Sequence, residues 1–370
     1  DIASLLNDHV RFEPGQRLGR DLTIDGLFED GFAAIFLAIG ADKSWRLDLE
    51  GENVRGVYSS MQFLKAFNLD GIELAKGNVG IIGGGNSAVD AARVAIRQKQ
   101  VESVTLFYRR TCREMPAYAE EVEAAIEEGI HLETLVSPVK IRYIDAAIRE
   151  GVRVEPFVQP IQIDTKNGHL AGIKCIRNRL AEMDPSGRRR PVAIPGSEFA
   201  VFLDTLIAAI GERPDSECLA GMGLEIDGSG RVRVDPRTLA ASRPGVFAGG
   251  DLVTGPNTVV DAIAAGKQAA AVIGRFLEGK PLAAPSQQIA PSVYVPPRPV
   301  ADEEAEEAER EECATLPAES RSKSFAEVEL ALTADQAARE ARRCLRCDLR
   351  FTQPPGEQPA ACPAHQESLA

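Results

Sequence analysis

The feature that most constrains this chain of 370 residues is a strand, a glycine turn and a helix in direct succession. Residues 78–90 begin with apolar side chains typical of a buried parallel strand and then reach three consecutive glycines. A helix-favouring segment, residues 87–98, follows without a loop. Gly83, Gly85 and Ala88 occupy the three places of the G-x-G-x-x-G/A pattern, so the sequence predicts a dinucleotide-binding βαβ unit.

The residue types in this turn have physical reasons. Gly83 allows a tight turn, and Gly85 has no Cβ that would keep a pyrophosphate away from the backbone. Ala88 lets the helix pack close to the strand, and free N–H groups at the helix N-terminus favour a phosphate. The alternative interpretation is a turn that binds no ligand. The strand before the glycines and the helix after them favour the nucleotide site over this alternative. The candidate binding residues are Gly83, Gly84, Gly85, Asn86, Ser87 and Ala88.

The next strand-like run, residues 103–110, is expected to pair beside the first and bears on the choice of nucleotide. In sites that prefer NAD this strand usually ends in a carboxylate that binds the adenosine ribose. Here it ends in Arg109 and Arg110, and guanidinium groups bind the 2′-phosphate that a carboxylate would repel. We therefore expect NADP(H), with NAD(H) as the alternative if both arginines are only solvated.

A second strand–turn–helix pattern lies near residue 250. A short apolar strand runs into Gly250 and Asp251, and a helix rich in small residues begins after Thr258. Asp251 is placed to accept hydrogen bonds from ribityl hydroxyls, and the helix end at Thr258 and Val259 would stabilise negative charge on a reduced flavin. An ordinary strand–loop–helix with an N-cap explains the same pattern.

Two apolar segments repeat each other in the body of the chain. Residues 34–41 and 205–212 each contain a continuous apolar strand that ends in Ala-Ile-Gly. The repeat predicts two related nucleotide-binding units, each closed by a strand whose glycine lets backbone pass near a ligand. Gly40, Ala41 and Gly211 are therefore candidate binding residues, and coincidence between two alanine-rich strands is the alternative.

Four of the seven cysteines lie near the C-terminal end. Cys344 and Cys347 have the C-x-x-C spacing shared by zinc knuckles, iron–sulfur loops and redox pairs. We expect a [4Fe–4S] cluster held by Cys344, Cys347 and Cys362, with Cys313 as the candidate fourth ligand. The alternatives are a site completed by a partner chain, zinc bound with His365, and thiols without a metal.

The charge distribution argues against some functions. The formal net charge is −13, of which residues 302–312 contribute −7 from eight acids and one Arg. An acidic chain without a basic stripe is not expected to bind nucleic acid. No apolar run approaches the roughly 18 residues that span a bilayer, and no signal peptide is visible, so we expect a cytoplasmic protein.

Together these residues resemble the flavoproteins with two dinucleotide-binding domains, and specifically the small subunit of NADPH-dependent glutamate synthase. The matching segments are residues 83–90, 108–111, 113–117, 209–211, 247–251 and 258–266. The resemblance implies FAD held by Asp251 and the turn at Thr258 and Val259, and NADP(H) held by residues 83–88 with Arg109 and Arg110. It also implies direct hydride transfer between nicotinamide and flavin, which needs no acid–base side chain, so no catalytic residue is assigned.

The resemblance implies an α/β protein with two Rossmann-like domains, in which an NAD(P) domain interrupts an FAD domain. Within that domain, residues 153–191 look antiparallel, with turns at 166–168 and 184–187. The family's first glycine-rich loop has no counterpart before Gly83, so we expect it on a preceding segment or on another polypeptide. The predicted divisions are 1–77 and 201–280 for the FAD domain, 78–200 for the NAD(P) domain, 281–332 for a proline-rich linker with an acidic segment, and 333–370 for a cysteine-bearing tail.

The leading functional hypothesis is an oxidoreductase subunit that passes hydride from NAD(P)H to FAD. Electrons then leave through iron–sulfur centres to a partner reductase or iron–sulfur subunit, with flavin-based electron bifurcation as a possible refinement. The second hypothesis is a non-catalytic scaffold or nucleotide-sensing subunit. A disulfide reductase is disfavoured, because no closely spaced cysteine pair occurs in the body of the chain.

Overall fold

The computed structural model describes residues 10–111, 158–183, 189–284 and 310–343, with positions 115–117, 122, 126, 128 and 130–135 between them. The chain divides into two compact units. The first comprises Asp1–Pro285 and Ala318–Ser324, and the second comprises Ser286–Pro317 and Phe325–Ala370. Strands and helices alternate through much of the first unit, which confirms the predicted α/β class.

The described elements are short for the most part. The strands are β1 (Ile35–Leu37), β2 (Lys43–Ser44), β3 (Val57–Ser59), β4 (Gly77–Ile82), β5 (Val101–Thr111), β6 (His131–Leu135), β7 (Val158–Lys166), β8 (His169–Met183), β9 (Arg189–Ala193), β10 (Phe199–Phe202), β11 (Thr205–Ala208), β12 (Glu212–Arg213) and β13 (Val246–Ala248). The helices are α1 (Ile24–Glu29), α2 (Ser60–Asp70), α3 (Asn86–Ile96), α4 (Asp251–Thr254), α5 (Val259–Leu277), α6 (Ala318–Arg321) and α7 (Ala334–Arg342).

The largest sheet is parallel and has the strand order β3-β11-β4-β5-β6. Its central strands are apolar and covered on both faces, since every residue of β11 and the last four of β4 are buried. The predicted strand 103–110 lies within β5 and pairs beside β4, which confirms the expected neighbours. The sheet therefore holds the glycine turn after β4 on a rigid base.

Helix α3 packs on this sheet through a face made of small residues. Its buried positions are Ala88, Val89, Ala91, Ala92 and Ala95. Because alanine has only a methyl group, the helix axis approaches the strands closely. The close approach predicted for Ala88 agrees with this packing, since that residue is 0% exposed.

A second sheet, with β7, β8, β9 and β10, is antiparallel. The β7–β8 turn places Asn167 and Gly168 at φ values of 54° and 76°, which suits a two-residue hairpin. The antiparallel character and the turn at 166–168 predicted from the sequence are confirmed. The turn predicted at residues 184–187 lies outside the described residues.

The two Ala-Ile-Gly segments lie in different sheets. The first contributes β1, which pairs in parallel with β13 in a sheet of two described strands. The second contributes β11, which pairs with β3 and β4. The strands β3 and β11 lie outside the segment 78–200 but share its sheet, and the predicted domain bounds remain a prediction.

The described part of the second unit centres on α7. Thr333 caps this helix: its hydroxyl accepts from the Gln336 N–H, and the Gln336 side chain accepts in return from the Thr333 N–H. The segments around Thr315 and Glu329 form an antiparallel bridge. Among the described helices of the chain, none is both long and apolar enough to cross a membrane.

Candidate cofactor sites

The glycine turn after β4 is shaped by contacts within the protein. Gly83 has a φ of +150°, and a Cβ there would lie 2.1 Å from the Ala209 carbonyl oxygen. A Cβ on Gly84 would lie 2.5 Å from the Tyr108 ring. Both positions therefore require glycine for packing alone.

Gly85 differs, because a Cβ there would meet nothing closer than Pro116 Cγ at 3.8 Å. Gly85 is also the N-cap of α3, and no side chain caps this helix end. The first turn of α3 carries no acidic residue. The turn therefore offers open space and a helix N-terminus to an anion, as the motif requires.

The two arginines at the end of β5 lie in different environments, because successive strand residues point to opposite faces of a sheet. Arg109 is exposed. Arg110 is 4% exposed, and its Nε donates a hydrogen bond of 2.8 Å to the Arg189 carbonyl oxygen. Of the two predicted phosphate ligands, Arg109 is the one at the surface.

A cleft of about 180 Å³ lies where β1 and β13 end and α5 begins. It brings together five candidate residues from two distant segments of the chain: Gly40 from one, and Gly250, Asp251, Thr258 and Val259 from the other. Phe36, Ala38, Gly249, Asn257 and Ala262 complete its lining. Ala41 and Gly211 are not among the lining residues, although Gly211 accepts a hydrogen bond of 2.9 Å from the Trp45 N–H.

Two side chains in the cleft already have structural roles. Asp251 Oδ1 accepts from the Asn257 N–H at 3.2 Å, which closes the turn between α4 and α5. Thr258 is the N-cap of α5, and its hydroxyl oxygen accepts from the Asp261 N–H at 3.2 Å. A ligand would therefore meet the second oxygen of Asp251 and the N–H groups of Val259 and Val260 at the helix end.

The sequence interpretation missed an ion pair, Arg231 with Asp227, that contacts the end of the short helix α4 next to this cleft. The Arg231 guanidinium binds the Asp227 carboxylate at 3.0 Å, and its Nη1 also contacts the Thr254 carbonyl oxygen at 3.4 Å. Hydrogen bonds from the Ser229 hydroxyl and the Arg231 N–H lower the pKa of Asp227 well below its usual range. The run from Asp227 to Gly230 is a turn signal, but nothing in the sequence links it to Thr254.

The structure describes only one of the four candidate cysteine ligands. Cys313 is a free, exposed thiol. Cys344, Cys347 and Cys362 lie outside the described residues. Among the residues that are described, no three His, Cys, Asp or Glu side chains group together as metal ligands would.

Comparison with known proteins places the chain in a family. A family model for pyridine nucleotide-disulphide oxidoreductases matches residues 2–266. The beta subunit of an NADP(+)-dependent formate dehydrogenase from Moorella thermoacetica is 38% identical over 90% of this chain and 44% of its own length. The beta subunit of an NADPH-Fe(3+) oxidoreductase from Geobacter sulfurreducens is 34% identical over 94% of this chain and 52% of its own length.

The small chain of NADPH glutamate synthase from Escherichia coli is 34% identical over 73% of this chain and 55% of its own length, which confirms the resemblance found in the motifs. The chain thus spans about half the length of these relatives. The structure of Mycobacterium tuberculosis FprA in complex with NADPH shares the fold, with a TM-score of 0.55 and 18% identity over 70% of this chain and 67% of that one. The chain belongs to the pyridine nucleotide-disulphide oxidoreductase family.

Proposed function

We propose that this chain is part of a flavoprotein oxidoreductase subunit that transfers hydride from NAD(P)H to FAD. The observation that carries the proposal is the cleft that gathers Gly40, Gly250, Asp251, Thr258 and Val259 from two separate segments. The names of the matched relatives, which are NADP- or NADPH-dependent enzymes, support the same chemistry.

The residues of the cleft fit a flavin. Gly250 has a φ of +64°, and a Cβ there would stay 3.7 Å from Ala262, so the backbone leaves room for a ligand at this point. Asp251 would accept from ribityl hydroxyls, and the α5 N-terminus at Val259 would face the negative charge of the reduced ring system. When bound, FAD would supply the hydride acceptor.

The nucleotide would bind at the turn of Gly83, Gly84, Gly85, Asn86, Ser87 and Ala88. The open side of Gly85 and the uncapped end of α3 support a pyrophosphate there. Arg109 is exposed at the end of β5, where an NADP 2′-phosphate would lie, whereas Arg110 would act by holding β5 against β9. NADP(H) is therefore favoured over NAD(H).

The role of these residues in the reaction is to bind and to orient. Hydride transfer needs two rings held face to face and water kept out, and it needs no proton transfer at a side chain. We therefore assign no general acid or base. In this proposal the rate depends on how firmly the two sites hold their cofactors.

Electrons would leave through a [4Fe–4S] cluster ligated by Cys344, Cys347, Cys362 and Cys313. The support for Cys313 comes from its neighbour Glu311, whose N–H donates to Glu340 Oε2 at 2.9 Å and whose carboxylate pairs with Arg339. Both partners lie in α7, which ends one residue before the Cys344-x-x-Cys347 pair in the sequence. The acceptor would be a partner subunit with reductase or iron–sulfur chemistry, and electron bifurcation would be compatible with the same sites.

A nucleotide-sensing or scaffold subunit without catalytic activity is the second candidate. The observation that favours it is the glycine turn itself, whose open Gly85 and uncapped α3 N-terminus would bind a nucleotide without any contribution from the Asp251 cleft. Under this alternative the chain would bind NADP(H) but no flavin.

An anaerobic titration of the full-length protein with NADPH, and then with NADH, separates the two candidates. We expect a flavin absorbance band that bleaches on addition of NADPH at lower concentrations than NADH. A protein that binds NADPH but has no flavin band after incubation with FAD would support the sensor. Iron and acid-labile sulfide analysis of the Cys344→Ser variant tests the cluster, and an iron content equal to that of the wild type would contradict the ligand assignment.

A further inference from the structure

A second cavity, of about 380 Å³, lies at the N-terminal ends of the strands of the parallel sheet, whereas the glycine turn lies at the C-terminal end of β4. Its lining includes the residues that directly precede three neighbouring strands: Gly56 before β3, Lys76 before β4 and Asp204 before β11. The glycine turn leaves the other end of β4. We name this space the basal cavity, lined by Arg55, Gly56, Tyr58, Glu73, Leu74, Ala75, Lys76, Gln100, His169, Leu170, Asp204 and Thr205.

The two carboxylates in the basal cavity are engaged by other groups. Glu73 Oε2 accepts from the Lys99 N–H at 3.3 Å, and its Oε1 lies 4.0 Å from Lys99 Nζ, outside the lining. Asp204 Oδ2 accepts from the Asn78 N–H at 2.9 Å. Both carboxylates are thus already hydrogen-bonded, Glu73 to Lys99 and Asp204 to the Asn78 N–H.

Arg55 and Lys76, the two cations of the basal cavity, have no such partners within the described part of the chain. Among the described residues, no carboxylate lies within ion-pair distance of Arg55, Lys76 or His169. The Arg55 guanidinium offers a planar set of donors that matches a phosphate, and the Lys76 ammonium adds a point charge. Arg55 and Lys76 equal Glu73 and Asp204 in formal charge, and the two cations are the charged lining groups that can bind an incoming anion directly.

The backbone that carries these cations is held in place. The Thr205 hydroxyl accepts from the Lys76 N–H at 3.0 Å and donates to the Lys76 carbonyl oxygen at 3.0 Å. The Leu170 N–H donates to the Arg55 carbonyl oxygen at 3.0 Å. The side chains themselves are exposed, but the backbone at Arg55 and Lys76 is fixed by these hydrogen bonds. A fixed backbone reduces the entropy that is lost when a ligand binds.

One further donor lies behind the wall of the basal cavity. Gln98 is 3% exposed, and its Oε1 accepts from the N–H of the lining residue Ala75 at 2.8 Å. Gln98 Nε2 is buried and has no hydrogen-bond partner among the described residues. Buried donors are nearly always satisfied by protein, water or ligand, so this amide is a donor for an acceptor bound next to Ala75.

We propose that the basal cavity binds a small phosphate-bearing anion, with Arg55 and Lys76 as its principal ligands and His169 beside them. A free inorganic phosphate compound and the phosphate of a nucleotide share this chemistry. Tyr58 and Leu74, on the same wall, would contact the organic part of a nucleotide. This ligand is additional to the dinucleotide proposed for the glycine turn.

Isothermal titration calorimetry of the full-length protein tests the proposal, with inorganic pyrophosphate and AMP as separate probes. Each titration is run with and without saturating NADP+, which would occupy the glycine turn. We expect one probe or both to bind with NADP+ present, and at least tenfold weaker binding in the Arg55→Gln and Lys76→Gln variants. Lys65→Gln is the matched control, because Lys65 is also exposed but faces Asp42 outside the cavity.

The arms of this experiment give distinct outcomes. Stronger binding of AMP than of pyrophosphate identifies a nucleotide site, and the reverse order identifies an inorganic phosphate site. Binding that NADP+ abolishes, binding that neither variant weakens, or no saturable binding of either probe overturns the proposal. If NADP+ itself fails to bind but pyrophosphate binding still depends on Arg55 and Lys76, the proposed function fails and the basal cavity stands.

Discussion

The two candidate cofactor sites differ in how completely the described chain encloses them. The glycine turn rests on a five-stranded sheet whose central strands are buried on both faces. The Asp251 cleft rests on a two-stranded sheet, and α5 beside it leaves Val259 and Val260 each 75% exposed. Within the described residues the first site therefore has a packed base, whereas apolar side chains beside the second site are exposed.

The physical basis of this difference is visible in the glycines. Gly83 and Gly84 are packed against Ala209 and Tyr108, so the nucleotide turn is determined by the protein itself. In the Asp251 cleft, a Cβ on Gly249 would lie 2.9 Å from Phe36, but a Cβ on Gly250 would meet nothing closer than Ala262 at 3.7 Å. We therefore expect substitutions of Gly83 and Gly84 to affect stability, and substitutions of Gly85, Gly250 and Asp251 to affect ligand binding.

The largest effect is expected at the ion cluster behind α3. The Glu128 side chain is fully buried and bonds to Arg93 at 2.7 Å and Arg97 at 2.6 Å. Removal of one member of a buried ion pair costs about 3–5 kcal/mol, so Glu128→Ala should lower the free energy of unfolding by that order. Urea denaturation measures the loss, with the exposed Glu102→Ala as the control. A loss below about 1 kcal/mol would show that the buried ion cluster does not stabilise the nucleotide-binding region.

Glu128 also sets a pH dependence. Burial raises its pKa, but hydrogen bonds from Arg97 and Arg93 outweigh this effect, and the pKa in the folded protein lies below the usual value of 4.5. A lowered folded pKa contributes stability that is present above the unfolded pKa and is lost as pH falls through the folded pKa. We expect wild-type stability to decline below about pH 4.5 more steeply than that of Glu128→Gln. Parallel curves for the two proteins would contradict the assignment.

The next effect is expected from two glycine variants in one turn. Gly83→Ala places a Cβ against the Ala209 carbonyl oxygen at a positive φ, which should cost about 2–4 kcal/mol of stability. Gly85→Val adds atoms toward open space, so the protein should stay folded and lose NADPH binding. Thermal denaturation and NADPH titration measure the two properties. Equal loss of stability in both variants would contradict the assignment of Gly83 to packing and of Gly85 to ligand binding.

A smaller effect is expected at the end of β5. Replacing the exposed Arg109 with Gln should weaken NADPH binding by roughly tenfold, about 1.4 kcal/mol, and leave NADH binding nearly unchanged. Lys99→Gln, on the loop before β5, is an exposed control. Fluorescence titration with each nucleotide gives the ratio of affinities. A fall in NADH affinity equal to that for NADPH would show that Arg109 does not read the 2′-phosphate.

The smallest effect is expected behind the Asp251 cleft. Arg231→Ala removes one contact to the Thr254 carbonyl oxygen and the pair with Asp227, and Arg231 is 42% exposed. A partly exposed pair contributes about 0.5–1 kcal/mol, so FAD affinity should fall two- to fivefold with NADPH affinity unchanged. Arg233→Ala, two residues along the chain, is the control. A change in NADPH binding alone would place Arg231 with the other site.

Local patterns were sufficient to predict much of this molecule. The order of β4, the glycine turn, α3 and β5 follows from apolar runs and glycines that are adjacent in the sequence. The hairpin at Asn167 and Gly168 follows from turn chemistry. Gly40 and Asp251 were each predicted near strand ends, although the sequence interpretation did not bring them into one cleft.

Features that depend on side chains from distant segments could not be predicted in this way. The burial of Arg110 depends on the carbonyl of Arg189, which lies on another sheet. Strand periodicity alone would have placed Arg109 and Arg110 on opposite faces, and the sequence interpretation treated them as a pair. Glu128 and the basal cavity involve residues that come together only when the strands pair. No local sequence pattern predicts tertiary contacts of this kind.

The central claim is that one chain carries two separate cofactor sites, and paired binding titrations test it most directly. FAD and NADPH affinities are measured for the wild type, Asp251→Ala and Gly85→Val, with Asp164→Ala in β7 as the control. We expect Asp251→Ala to weaken FAD binding at least tenfold and leave NADPH unaffected, and Gly85→Val to do the reverse. Binding of both cofactors that falls together in either variant, or FAD binding that is indifferent to Asp251→Ala, would contradict the claim.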